Sequence, residues 1–166
     1  MSLTYRKAVP DDHAEIMRLI RSAIHEMERL HIHQWDEQYP TDEDIAADIR
    51  NQTLTIGISE NKIAVIYTIN QECDDAYENA DWSYHGTAFA VLHRLCVQPA
   101  MQNQGVAGET LTHIETELRR YECKAIRLDV FSENPYALVL YRHNGFHETG
   151  TANWRKGKFL LMEKLL

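Results

Sequence analysis

Residues 95–108 read Leu95-Cys96-Val97-Gln98-Pro99-Ala100-Met101-Gln102-Asn103-Gln104-Gly105-Val106-Ala107-Gly108, an apolar run, a polar turn and the start of a helical pattern. Small residues at Gly105, Ala107 and Gly108 let backbone approach a ligand closely. The first helical turn offers N–H groups without intrahelical partners and the positive end of a dipole. Together these form a cradle for a pyrophosphate that needs no lysine. No Gly-Lys-Ser/Thr follows, so the turn is not a P-loop, and the GxGxxG spacing of a dinucleotide site is absent. A plain strand-to-helix turn with small residues has the same local appearance.

Acids and aromatics gather in two other places. One is Trp35, Asp36, Glu37 and Tyr39; the other is residues 71–86, with Glu72, Asp74, Asp75, Glu78 and Asp81 beside Tyr77, Trp82 and Tyr84. Such sets suit a cationic amine through charge attraction and cation–π contact. A solvated acidic loop carries the same composition. His25, His31 and His33 cluster, but His25-Glu26-Met27-Glu28-Arg29 is not HExxH and no matching ligand spacing follows, so no metal site is expected. Cys73, Cys96 and Cys123 show no CxxC spacing and fit a reduced compartment. Cys96 reads as an apolar packing residue rather than a covalent thiol.

These residues need a scaffold. A chain of 166 residues with 44 % apolar types makes one domain with a real core. No run is long enough for a membrane span, and the start lacks a signal core, so a cytoplasmic location is expected. The formal charge of −8 argues against nucleic acid as a partner. Thr4–Ala8 reads as a strand. Asp12 with Glu15 and Thr41 with Asp44 resemble capping boxes that open two helices. Ile16, Leu19, Ile20, Ala23, Ile24 and Met27 form one apolar stripe. Strands are expected at 54–59 and 62–70 around the turn Glu60-Asn61, then at 87–97 after a long polar loop. A helix over 105–122, a strand over 124–131, a short helix over 135–144 and two closing strands complete the order β-α-α-β-β-β-α-β-α-β-β. This order implies a mixed α/β fold around one sheet.

Two blocks carry a family resemblance. Gln102-Asn103-Gln104-Gly105-Val106-Ala107 resembles the Q/R-x-x-G-x-G/A signature of the GNAT-type N-acetyltransferases, with Leu95-Cys96-Val97-Gln98-Pro99 as its lead-in. Ala107 stands where many members have glycine. Asn134-Pro135-Tyr136-Ala137-Leu138-Val139-Leu140-Tyr141-Arg142-His143-Asn144-Gly145-Phe146 resembles the N-x-x-A-x-x-L-Y-x-x-x-G-F block of the same family. With the element order, the resemblance spans nearly the whole chain.

The resemblance implies a three-layer sandwich with a central, splayed mixed sheet flanked by helices. It implies acetyl-CoA as cosubstrate, with the pantetheine arm beside Leu95, Cys96 and Val97 and the pyrophosphate on amides from Gln102, Asn103, Gln104, Gly105, Val106, Ala107 and Gly108. Asn134 would reach the arm from the other side. Tyr141 would give a proton to the leaving thiolate; an ordinary packed tyrosine is the alternative. A backbone N–H near Val97 would meet the developing oxyanion. The strand position where some members carry a glutamate is Val91 here, which cannot titrate. His93, on the same face, is a candidate base, and a loop carboxylate reached through water is another. Trp35, Tyr77, Trp82 and Tyr84 are the candidate acceptor-binding residues. The acceptor is expected to be a small-molecule amine, with a protein amine or a non-catalytic acyl-CoA module as alternatives. Dimerisation is common in the family, and Phe159–Met162 with Trp154 are the candidate contact; completing the sheet and core is the other reading.

Overall fold

The structure, a computed structural model, describes residues 2–166. Its elements are β1 (Thr4–Lys7), α1 (His13–Arg29), α2 (Asp42–Arg50), β2 (Leu54–Ser59), β3 (Lys62–Asn70), β4 (Phe89–Val97), α3 (Val106–Arg120), β5 (Ala125–Phe131), α4 (Pro135–His143), β6 (His147–Trp154) and β7 (Gly157–Leu165). The order matches the sequence expectation. The strands form a seven-stranded mixed sheet, β1-β2-β3-β4-β5-β7-β6. The chain divides into two compact units, residues 1–69 with 94–110 and residues 70–93 with 111–166.

In the first unit β1, β2 and β3 pair antiparallel. Their apolar face meets the stripe of α1: Ile16, Leu19, Ile20 and Ala23 pack with Ile45 and Ile49 of α2 and with Leu54, Ile56 and Ile66. Burial of these branched side chains fixes which faces of α1 and α2 turn inward. The β2–β3 turn places both Glu60 and Asn61 at positive φ (50° and 62°), the paired left-handed geometry of a tight hairpin. Thr41 and Asp44 form the expected capping box, with side chain to backbone distances of 3.1 and 2.8 Å. Asp12 and Glu15 do not. Pro10–Asp12 instead forms a 3-10 turn, and Asp12 takes the Val9 N–H at 2.8 Å while pairing with Arg6. Glu15 accepts the Ile63 N–H at 3.1 Å.

In the second unit β4 starts parallel to β5, with pairs Phe89↔Ala125, Ala90↔Ile126 and Val91↔Arg127. From Leu128 to Phe131, β5 is paired through β7 alone among the described residues. β7 runs antiparallel between β5 and β6. Leu161 and Met162 are fully buried, and Trp154 packs on Phe159 at 4.9 Å between ring centroids. These residues complete the sheet and core of their own chain. Tyr121 lies past the end of α3 and is 80 % exposed. Among the described residues no helix is long and apolar enough to cross a membrane.

Candidate active site

The first unit holds the candidate cradle. Arg94, inside β4, has φ +55°, and Leu95, Cys96 and Val97 follow this irregularity. A non-glycine residue in the left-handed region costs about 1–2 kcal/mol and persists only where the surroundings fix it. Here they do. The Arg94 guanidinium pairs with Asp48 at 2.9 Å and lies over the Tyr39 ring at 5.4 Å, and Thr68 donates to the same carboxylate at 2.9 Å.

Beyond β4, a 3-10 turn at Pro99–Met101 and Asn103 at φ +60° lead to Gly105 at φ +83° and then to α3. The turn uses its own amides as struts. The Gln102 side chain donates to the Val97 carbonyl at 3.3 Å, and Gln104 to the Ala100 carbonyl at 3.0 Å. A backbone bond from the Glu109 N–H to the Gly105 carbonyl at 3.0 Å closes a turn at the start of α3. Val106 and Ala107 thus belong to the open N-terminal end. Val106 is itself buried and anchors the turn. A Cβ built at Gly105 or Gly108 would meet no atom within 4 Å. The glycines leave space outside the turn, where a phosphate would approach. Cys96 packs in the apolar cluster, and burial pushes its thiol up to about 12, so it is no nucleophile.

The same unit contains a groove of about 600 Å³ between α1 and residues 36–42. Met17, Ile20 and Ile24 form its floor. Glu28, Asp36, Glu37 and Asp42 line it, against one cation, Arg21. Asp36 and Glu37 belong to the acidic stretch singled out from sequence. Glu28, Arg21 and Asp42 were missed, although helical spacing puts Glu28 in line with Ile20 and Ile24. Trp35 is not in the lining; it packs partly buried against the core.

The second unit holds the candidate chemical groups. Tyr141 on α4 is 8 % exposed and meets Phe146 edge-on at 5.5 Å. Burial, and then the charge of Asp129, push its hydroxyl well above the ordinary tyrosine range. It keeps its proton at any working pH, as a proton donor must. Asn134 caps α4, its Oδ1 accepting the Ala137 N–H at 3.1 Å. His93 Nε2 lies 2.8 Å from Asn70 Oδ1 and 3.0 Å from the Glu72 carbonyl. Two acceptor oxygens at one ring nitrogen require a proton there. Val91 is fully buried.

Residues 71–86 expose their five acids, Glu72, Asp74, Asp75, Glu78 and Asp81, and turn two of their aromatics inward. Tyr77 and Trp82 are 3 % and 9 % exposed and form a cluster with Val91, Ala152 and Leu161. The Tyr77 hydroxyl donates to Asp129 at 2.7 Å, and the Trp82 ring N–H donates to the Tyr77 carbonyl at 2.8 Å. Arg127 sits over the Trp82 and Phe89 rings at 4.5 and 4.1 Å. The Tyr84 hydroxyl accepts the Ala88 N–H at 3.2 Å, and its carbonyl accepts from Arg127 at 2.6 Å. Tyr77, Trp82 and Tyr84, three of the four aromatics expected at the acceptor, thus hold the loop down within their unit. Asp129 was missed, because its partner Tyr77 lies 52 positions away.

Residues 21–146 match the model of the acetyltransferase (GNAT) family. The [ribosomal protein bS18]-alanine N-acetyltransferase of Escherichia coli K12 is 25% identical over 127 residues, 76% of this chain and 74% of that protein. A GNAT family acetyltransferase from Streptococcus agalactiae superposes with a TM-score of 0.86 at 22% identity, over 99% of this chain and 95% of that one. The PaiA N-acetyltransferase of Thermoplasma acidophilum, solved in complex with coenzyme A, gives a TM-score of 0.73 at 17% identity over the whole of both chains.

Proposed function

The chain belongs to the acetyltransferase (GNAT) family, and from that membership we propose that it moves the acetyl group of acetyl-CoA directly onto a primary amine of a small cationic molecule. Residues 1–166 are read as one domain serving this reaction, in the cytoplasm. The observation that carries the choice of acceptor is the groove of about 600 Å³ with four carboxylates against one guanidinium. Its size suits a small ligand, and its charge favours an ammonium over a carboxylate.

Bound acetyl-CoA supplies the acyl group as an activated thioester. The cradle fits it in one respect: a Cβ at Gly105 or Gly108 would meet no atom within 4 Å, which leaves space for a phosphate. Gln102–Gly108 would hold the pyrophosphate through backbone N–H groups, aided by the α3 dipole. The backbone by Val97 would stabilise negative charge on the acyl oxygen. Tyr141, held protonated, would donate to the departing sulfur. Fixing both reactants lowers the barrier further by removing translational freedom.

A protein amino terminus is the second reading, favoured by the relatives named for bS18 alanine acetylation. An acceptor panel separates the two. Thiol release from acetyl-CoA is followed with a linear alkyl diamine, an alanine-initiated peptide, a neutral amine and an acidic amine. Turnover with the diamine is expected. Turnover with only neutral or acidic amines would sink the cationic reading, and turnover with the peptide alone would establish the protein acceptor.

A further inference from the structure

Arg94 is the residue at which the chain returns from the second unit to the first. Its φ of +55° bends β4 just before Leu95, Cys96 and Val97, the main chain on which the donor is read to lie. A side chain in this left-handed region stays there only while its contacts hold it. The guanidinium is gripped at its tip. Asp48 meets Nη1 at 2.9 Å, whereas the buried Nε has no hydrogen-bond partner. A buried donor left unpaired is unfavourable, so hydrogen bonding alone does not explain where this side chain lies. The same placement lays the guanidinium over the Tyr39 ring, 5.4 Å from its centroid.

Tyr39 closes a tight turn that belongs to the groove. Its carbonyl accepts the Asp36 N–H at 3.1 Å, its N–H donates to the Asp36 carbonyl at 3.3 Å, and Asp36 Oδ1 accepts the Gln38 N–H at 2.9 Å. These bonds tie residues 36–39 into one piece. Asp36, Glu37 and Gln38 line the groove before Tyr39, and Pro40, Thr41 and Asp42 continue the lining after it. Tyr39 itself is outside the lining, with its ring against Arg94. Asp48, the other anchor of Arg94, lies on α2, which begins at Asp42, and Thr68 of β3 donates to it at 2.9 Å. One guanidinium therefore touches the groove turn on one side and α2 on the other, and its own backbone is the bend in β4.

On the reading above, which puts the amine in the groove and on which this inference rests, donor and acceptor bind at sites that share this one cation. We propose that Arg94 and Tyr39 are positioning residues that couple the two sites. An amine filling the groove fixes the turn 36–39, the Tyr39 ring fixes the guanidinium, and the guanidinium keeps β4 bent as the donor requires. Both ligands favour the same arrangement of Arg94, so each tightens the other by the same factor. The contact with Tyr39 is the adjustable joint. Its ring is 39 % exposed and holds the cation less firmly than the buried Asp48 carboxylate does.

The test titrates the full chain by calorimetry with coenzyme A, which has no acetyl group to transfer, and with a linear alkyl diamine. Each is added alone and again with the other saturating. In the unaltered protein each is expected to tighten the other about fivefold, the lower end of ordinary coupling. Tyr39→Leu removes the ring and leaves the Asp48 pair, so the coupling factor falls to about one. Tyr39→Phe keeps the ring face and with it the coupling. Both variants are expected to melt cooperatively, because Tyr39 lies outside the buried core. Coupling that survives in Tyr39→Leu, or is lost as fully in Tyr39→Phe, would overturn the assignment. So would its absence from unaltered protein that binds both ligands, and acetyl transfer would still stand. Diamine binding that Asp36→Asn with Glu37→Gln leaves unweakened would instead overturn the groove as the acceptor site, and this inference with it.

Discussion

Residues 94–108 and residues 70–93 share strand β4 but are built on opposite principles. The first region works through its main chain. Its hydrogen bonds from Gln102 and Gln104 reach back four or five residues, and its small residues leave space outside. The second works through acid side chains met far along the chain: Asp129 by the Tyr77 hydroxyl, and Glu163 by the Ser83 backbone N–H 80 positions away. One region suits a ligand recognised by shape and charge at backbone amides. The other suits groups whose protonation must be set by their surroundings. Binding and proton handling can thus be disturbed separately.

Arg94 opens the backbone-built region, and its loss should have the largest effect on stability. Arg94→Met leaves Asp48 buried without a counter-ion, with both side chains about one-tenth exposed. Breaking such a pair is expected to cost about 3–5 kcal/mol in a denaturant melt. A change below about 1 kcal/mol would show that the pair acts as an exposed one. Tyr141→Phe comes next. It should lower kcat about 100-fold while acetyl-CoA still binds, which separates chemistry from binding. Equal loss of both would blur the division between the two regions. A smaller effect is expected at the groove. Asp36→Asn with Glu37→Gln should raise the KM of a diamine about tenfold with kcat little changed, as lost uniform binding does. The smallest concerns Cys96. With its thiol at about 12 and buried, it should resist alkylation in the native protein near neutral pH and react only on unfolding.

The same contrast governs what could be read from sequence. The apolar stripe of α1, the Thr41 capping box and the Glu60-Asn61 hairpin are local patterns, and each formed as its spacing implied. The turn from Val97 to Gly108 is local too, which is why the family resemblance was visible in its residue types. The Asp12 box failed because Arg6 and the Val9 N–H claim that carboxylate first. The aromatics of residues 71–86 looked like a ligand wall because composition cannot distinguish an acidic loop in solvent from one pinned by buried rings. Asp129 carried no local signal, since the Tyr77 hydroxyl it accepts lies 52 positions away. The groove hid for a related reason: Glu28 and Asp42 flank a helix and a loop whose approach only packing decides.

Calorimetric titration of acetyl-CoA into the unaltered protein, Gly105→Val and Tyr141→Phe tests most directly whether the main chain at 95–108 holds the donor. Gly105 has φ +83° and open space at its Cβ, so valine both strains the turn and fills the place of approach. The account predicts saturable binding that weakens about 100-fold in Gly105→Val, ~2.7 kcal/mol, and is nearly unchanged in Tyr141→Phe. Binding unaffected by Gly105→Val in a protein that still melts cooperatively would contradict it.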